Sequence, residues 1–267
     1  MPPRAVFRRI RIVVLLLILA TVAQSAWLAK SRATDWRSSL QVVIYPLNGD
    51  GSDAVAAYLE RLREEHFEPI EAFLEEEAKR YGIATLRPVD VSLAPVIPGL
   101  PPAAPQDGNP LKVMGWSLQM RFWAWRNDPY TGPRPQVKIF VLYHDANDNE
   151  RVENSLGLEK GMIGIVHAFG AKRMAAQNNV VIAHELLHTL GASDKYDPAT
   201  NRPLYPEGYA DPERKPLHPQ EMAEIMGGRT PVSDAEAEIP ASLQEVVVGP
   251  KTAREINWLA AASQARD

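Results

Sequence analysis

Reading from the first dense apolar run, Leu40 to Leu47 (LQVVIYPL) is β-branched and apolar and is closed by Asn48-Gly49-Asp50-Gly51. That pattern predicts a strand followed by a turn. The period then changes. Val55, Leu59, Leu62, Phe67, Ile70, Phe73 and Leu74 return at helical spacing. A helix is therefore expected from Ser52 or Asp53, either of which can cap it, to about Tyr81, with Gly82 as the stop and a kink allowed at Pro69. Its glutamates read as a solvated face. Val89 to Ile97 predicts a second strand, and Pro95 to Pro110 a proline-rich loop. Leu111 to Arg126, with Trp116, Phe122, Trp123 and Trp125, reads as core packing or a short helix, with a substrate-facing aromatic wall as the sharper alternative. Gln136 to His144 and Gly161 to Phe169 are expected as strands, Lys172 to Leu190 as a helix, residues 195–220 as irregular, and Lys251 to Ala261 as a closing helix. Strands and helices in that order predict an α/β (α+β) domain with a mixed sheet over residues 31–267.

Residues 1–30 have a different pattern. Arg4, Arg8, Arg9 and Arg11 precede an apolar run from Ile12 to Ala29, interrupted only by mild polar residues such as Thr21, Gln24 and Ser25. A spanning helix needs about 20 apolar residues, with a lower limit near 17. The arginines are expected to stay cytoplasmic and the chain after Lys30 to lie on the other side. The segment is thus expected to be a signal anchor, with a signal peptide cleaved near Ala23 or Ser25 as the alternative. Either way the domain is extracytoplasmic, membrane-anchored or secreted. A net charge of -4 and a pI near 5.9 give no reason to expect a nucleic-acid partner. The chain has no cysteine, which excludes disulfides, thiolate zinc sites and thiol catalysis.

The chemistry concentrates in Val180 to Tyr196, VVIAHELLHTLGASDKY. His184 and His188 lie one helical turn apart on one face. Two imidazoles so placed can ligate one Zn²⁺. Glu185 falls beside them, where a carboxylate can take a proton from water held by the metal. Gly191 can end the helix in a left-handed turn. The turned chain can bring Asp194 back as a third ligand, leaving the fourth position for water. Glu221, Glu224 and His218 are the competing third ligands. His66, His144 and His167 lack metal-ligand spacing and are expected to be structural or exposed. Asp197, Glu207 and Asp211 follow no calcium loop and are expected in solvated or ion-paired roles.

His184-Glu185-x-x-His188-x-x-Gly191-x-x-Asp194 resembles the extended zinc motif of the metzincin metallopeptidases, in the snapalysin-like variant whose third ligand is Asp. Ala223-Glu224-Ile225-Met226-Gly227-Gly228 is similar to the family's Met-turn, a tight turn with a methionine beneath the zinc. The resemblance implies a metzincin-like zincin domain with a twisted mixed sheet, an active-site helix and the Met-turn. It implies a zinc-dependent endopeptidase acting on peptide or protein substrates, with Glu185 as general base. It also places Gly161–Phe169 as the edge strand that pairs with an extended substrate. Some members carry a Tyr after the Met-turn that stabilises the oxyanion; here Arg229-Thr230-Pro231 stands there, and Tyr196, Tyr205 and Tyr209 are the candidates for that work. Two further classes fit the same residues: a non-catalytic zinc-stabilised peptide-binding module, and a zinc hydrolase of non-peptide amides such as cell-wall bonds.

Overall fold

The computed structural model of the chain describes residues 33–105, 109–147, 156–158 and 162–260, together with Arg11, Val13 and Gln24. The expected N-terminal membrane segment, residues 1–30, lies otherwise outside the described residues. Among the described residues no helix is long and apolar enough to cross a membrane.

Five strands form one twisted sheet: β1 (Leu40–Asn48), β2 (Val89–Leu93), β3 (Val137–His144), β4 (Leu156–Leu158) and β5 (Ile163–Phe169), in the order β2-β1-β3-β5-β4. The first four in that order run parallel, and β4 is antiparallel to β5. β1 is apolar along nearly its whole length because it is central and both of its faces are covered. Val42 and Ile44 face one core, while Val43, Tyr45 and Leu47 face the other. The first core is packed by α1 (Asp53–Leu59), α2 (Glu68–Arg80) and α4 (Ala175–Leu190). The second lies under α3 (Pro110–Arg126). The protein is therefore a mixed α/β fold with a largely parallel sheet and helices on both faces.

Several expectations need correction. The single helix from Ser52 to Tyr81 is two helices separated by an extended Arg63 and a 3₁₀ turn at Glu64–Phe67. Ser52 caps the first by accepting from the Val55 amide. Pro69 explains the break. In the interior of one long helix it would remove a hydrogen bond and clash with the preceding turn, at about 3 kcal/mol. In the first turn of α2 its missing N–H costs nothing. The Arg63 guanidinium donates to the carbonyls of Glu60 and Leu62 and so covers the end of the first piece. β2 ends at Leu93, before Pro95, although the Ala94 and Ile97 amides still donate to β1 carbonyls. The segment Leu111–Arg126 is a full helix, and it lies on the sheet face opposite α4, which removes it as a wall of the candidate site. β5 is not the edge strand of the sheet: all of it pairs with β3 on one side, and Ile163, Gly164 and Ile165 pair with β4 on the other. The outermost strand there is β4, which falls in a stretch whose composition gave no strand signal. The expected closing helix is interrupted: α5 (Pro250–Glu255) ends before Asn257, which takes a positive φ of 69°, and helical structure resumes over residues 258–260.

Candidate metal centre

The site stands on α4, and its sequence shows why that helix sits where it does. Ile182, Ala183, Leu186, Leu187 and Leu190 are buried on one side. The two buried asparagines near its start are both satisfied. Asn178 exchanges hydrogen bonds with the amide and carbonyl of Phe169 at the end of β5, and Asn179 donates to the His66 carbonyl. Asn178 thus stitches the helix to the sheet nearly two turns before His184. Gly191 closes the helix with φ 108°, in the left-handed region open to a residue without Cβ. The amides of Gly191 and Ala192 donate back to His188 and Leu187, and the chain doubles back.

That reversal brings Asp194 against both histidines. Its Oδ1 lies 3.2 Å from His184 Nε2 and 2.9 Å from His188 Nε2. The other ring nitrogens are committed elsewhere: His184 Nδ1 lies 2.9 Å from the Ile225 carbonyl and His188 Nδ1 2.8 Å from the Ala192 carbonyl. A carbonyl oxygen only accepts, so each Nδ1 carries the proton and donates it. In the neutral rings both Nε2 lone pairs are then left facing a carboxylate oxygen. Three acceptors converge on one point, an arrangement that needs either a proton on each ring or a cation between them. Four ligands at 2.0–2.1 Å from a tetrahedral ion lie about 3.3 Å apart, close to what is seen here. The donor set therefore fits Zn²⁺.

Glu185 completes the cluster. Ligand atoms of His184, Glu185 and His188 all lie within 4.8 Å of one another. Glu185 is buried, and its Oε2 has no hydrogen-bond partner. Burial pushes its carboxyl pKa upward, against the opposing pull of the two histidines. Burial works against a charged His184, yet the bond to Asp194 and the charge of Glu185 outweigh it and raise its pKa above the ordinary value. Burial likewise opposes ionisation of Asp194, and the two histidines overcome it and hold its carboxyl far below the usual range.

The competing third ligands are engaged away from the cluster. Glu221 pairs with Arg214, and His218 with Asp234 and Tyr209. Glu224 is fully buried, accepting from the Gly227 and Gly249 amides and from Thr252. Of the three tyrosines, Tyr209 bonds His218 and Tyr205 reaches the Pro212 carbonyl. Tyr196 alone stands at the cluster, its ring 6.4 Å from that of His184. Burial, then the charges of Asp194 and Glu185, push its pKa up to about 12. Asp197 and Asp211 cap local turns and Glu207 sits 3.6 Å from Lys251, as their solvated or paired roles required. His66 accepts from the Arg63 amide, and His144 and His167 stack on each other.

The turn at Ala223–Gly228 adjoins the cluster through its backbone. Gly227 and Gly228 amides both donate to the Glu224 carbonyl, and Gly228 has φ 72°. Met226 is completely buried. The turn holds the cluster through its backbone: the Ile225 carbonyl orients His184, and the Met226 carbonyl accepts from the Lys195 amide.

Sequence reasoning missed one positioning group. Glu255, on α5, accepts from Ser193 through both its amide and its hydroxyl, and from Lys195 Nζ at 2.8 Å. The residues on either side of Asp194 are thus clamped by a carboxylate some sixty positions away in the chain, too far for any local spacing to reveal. The Lys195 side chain is 2 % exposed. Removing its partner with Glu255→Ala leaves a buried cation and is expected to cost on the order of 3 kcal/mol in urea unfolding. The pH dependence has a definite sign. Burial opposes ionisation of Glu255, but the bonds from Lys195 and Ser193 dominate and lower its pKa. Its stabilisation is therefore full above the unfolded-state pKa of about 4.3 and disappears as pH falls through the lowered folded value. The Glu255→Gln variant should lose that part of the acid dependence.

No family model matches the chain, and no characterised protein does so either.

Proposed function

We propose that the protein is a zinc-dependent endopeptidase of metzincin type, with His184, His188 and Asp194 as the metal ligands and Glu185 as the general base. The observation that carries this reading is the convergence of two imidazole Nε2 atoms on Asp194 Oδ1 beside a buried carboxylate with an unpartnered oxygen. The helix and its Gly191 reversal support it, and so does the turn around Met226, whose backbone carbonyls hold His184 and Lys195.

When bound, zinc supplies Lewis acidity, which lowers the pKa of water toward about 7 and polarises the scissile carbonyl. The rest of the chemistry belongs to the chain. Glu185 takes the proton of the attacking water and passes it to the leaving amine. Its raised pKa makes both transfers easier at neutral pH than they would be for an exposed carboxylate. Tyr196 keeps its proton across the neutral range and bonds Asp194, so its hydroxyl is the donor at hand at the cluster for the negative oxygen that develops on the substrate. The carbonyls of Ile225 and Ala192 hold the two imidazoles in one tautomer and orientation.

The test is zinc content together with digestion of a peptide library by the full chain. One zinc per chain is expected, with cleavage abolished by a chelator and restored by added zinc. Cleavage that survives complete chelation overturns the reading, and so does a fully zinc-loaded chain that cuts no peptide. Protons compete with the metal for His184, whose pKa is raised. Zinc affinity should therefore decline as pH falls through the imidazole range, beginning above the ordinary value of about 6.5. Titration with a zinc indicator from neutral to mildly acidic pH measures it.

A further inference from the structure

Glu224 immediately precedes Ile225, whose carbonyl accepts from His184 Nδ1. Its own carboxylate is fully buried and gathers three donors. Oε2 accepts from the Gly227 amide at 2.8 Å. Oε1 accepts from the Gly249 amide at 3.0 Å and from the Thr252 hydroxyl at 2.6 Å. Gly227 belongs to the turn that holds His184, whereas Gly249 and Thr252 begin α5. One carboxylate therefore ties that turn to α5. The backbone adds to the tie: Ala223–Glu224 pairs with Val246–Val247, and the Ile225 amide donates to the Val247 carbonyl.

Two features mark this as a built latch rather than an ordinary core contact. A carboxylate taken wholly out of water is costly, and an apolar side chain of similar volume fills a core as well or better. What the carboxylate adds is geometry, because it fixes donors from two separate segments at one point. Space is also made for it. A Cβ on Gly249 would lie 2.8 Å from Glu224 Cγ and 3.1 Å from Oε1, tighter than close packing allows, although the Gly249 φ of -73° suits any residue.

The same helix reaches the other side of the metal centre. Thr252 and Glu255 are three residues apart, on one face of α5. Glu255 holds Ser193 and Lys195, on either side of Asp194. α5 thus holds the turn behind His184 through Thr252 and the loop of Asp194 through Glu255.

We infer that Glu224 and Thr252 are positioning residues for the metal centre: they lock the turn to α5, which keeps the Ile225 carbonyl where it fixes the His184 imidazole and sets His184 against Asp194. This deepens the proposed function and rests on its metal centre, but the latch itself is readable in the metal-free chain.

Thr252→Val removes the hydroxyl and keeps the volume. His188 is the internal control, because its Nδ1 is held by the Ala192 carbonyl and not by the turn. In the isotope-labelled, metal-free full chain, NMR should show the His184 Nδ1 proton exchanging with water about tenfold faster in Thr252→Val, the effect of losing one hydrogen bond to a carboxylate. His188 should be unchanged. Affinity for zinc, titrated as the metal alone, should fall about tenfold, as it does when a group that orients a ligand is lost. Thr252→Ser should restore both. Gly249→Ala, which crowds the carboxylate and spares the hydroxyl, should reproduce the selective change at His184. Unchanged exchange at His184 in Thr252→Val overturns the inference. Faster exchange at both histidines together overturns it as well, since that is what a loosened or unfolded chain gives, and so does a failure of serine to restore His184. If the parent chain binds no zinc, the proposed metal centre fails, and exchange at His184 still decides the latch.

Discussion

The Glu185→Gln variant is expected to lose peptide cleavage about 10³-fold while keeping one zinc per chain, because a positioned general base contributes roughly 10² to 10⁴ in rate. The loss corresponds to about 4 kcal/mol of transition-state stabilisation. Glutamine matches the volume of the buried side chain and leaves the three proposed ligands, and the carbonyls that hold the two histidines, untouched. It cannot take up the proton of the attacking water. The same substitution should leave the metal-free protein as stable as before or more so. Burial raises the Glu185 pKa, so the ionised carboxylate destabilises the fold as pH rises past the unfolded value, and the neutral amide removes that cost. Steady-state kinetics, zinc analysis and thermal unfolding together check it. Cleavage at the original rate sinks the assignment of Glu185, whereas lost cleavage with lost zinc shows that the substitution damaged the metal centre instead.

The parts of this molecule that were legible in its sequence are those whose cause is local. β1 is apolar because both its faces are buried, and α4 carries His184 and His188 at helical spacing, so periodicity alone finds them. Gly191 is readable because a left-handed residue after a helix has few other solutions. What was not legible depends on distant partners. Nothing near Asp194 announces that Glu255 holds both its neighbours, and nothing in Gly161–Phe169 shows that β4 will pair along its outer side. Pro69 was readable as a disturbance, but whether it kinks one helix or opens a second turns on Arg63 capping the first piece. For α3 the pattern gave an apolar helix and could not say that one of its two apolar faces stays uncovered.

The sharpest test of the metal centre is Asp194→Ala, which should weaken zinc binding by more than about 100-fold. Loss of a group that merely orients a ligand already costs about 10- to 100-fold, and Asp194 is proposed to supply a ligand atom directly. No rescue is expected from the other acids and the histidine once in competition with it. Glu224 is held by two amides and a hydroxyl in the core, Glu221 by Arg214, and His218 by Tyr209 and Asp234. Moving any of them means breaking those bonds first. The variant also has a signature that needs no metal. Asp194 is the group that bonds His184 Nε2 and, with Glu185, raises its pKa against burial. Without it, burial gains weight and the imidazole should titrate at lower pH, which an NMR titration of the metal-free protein follows. Undiminished zinc affinity with a lowered His184 pKa would mean that Asp194 only orients the histidines and that the third ligand is supplied from elsewhere. Weakened affinity with an unshifted His184 would mean that the loop, and not the carboxylate, had been lost. Only the two changes together fit a carboxylate that occupies the point where both Nε2 lone pairs meet.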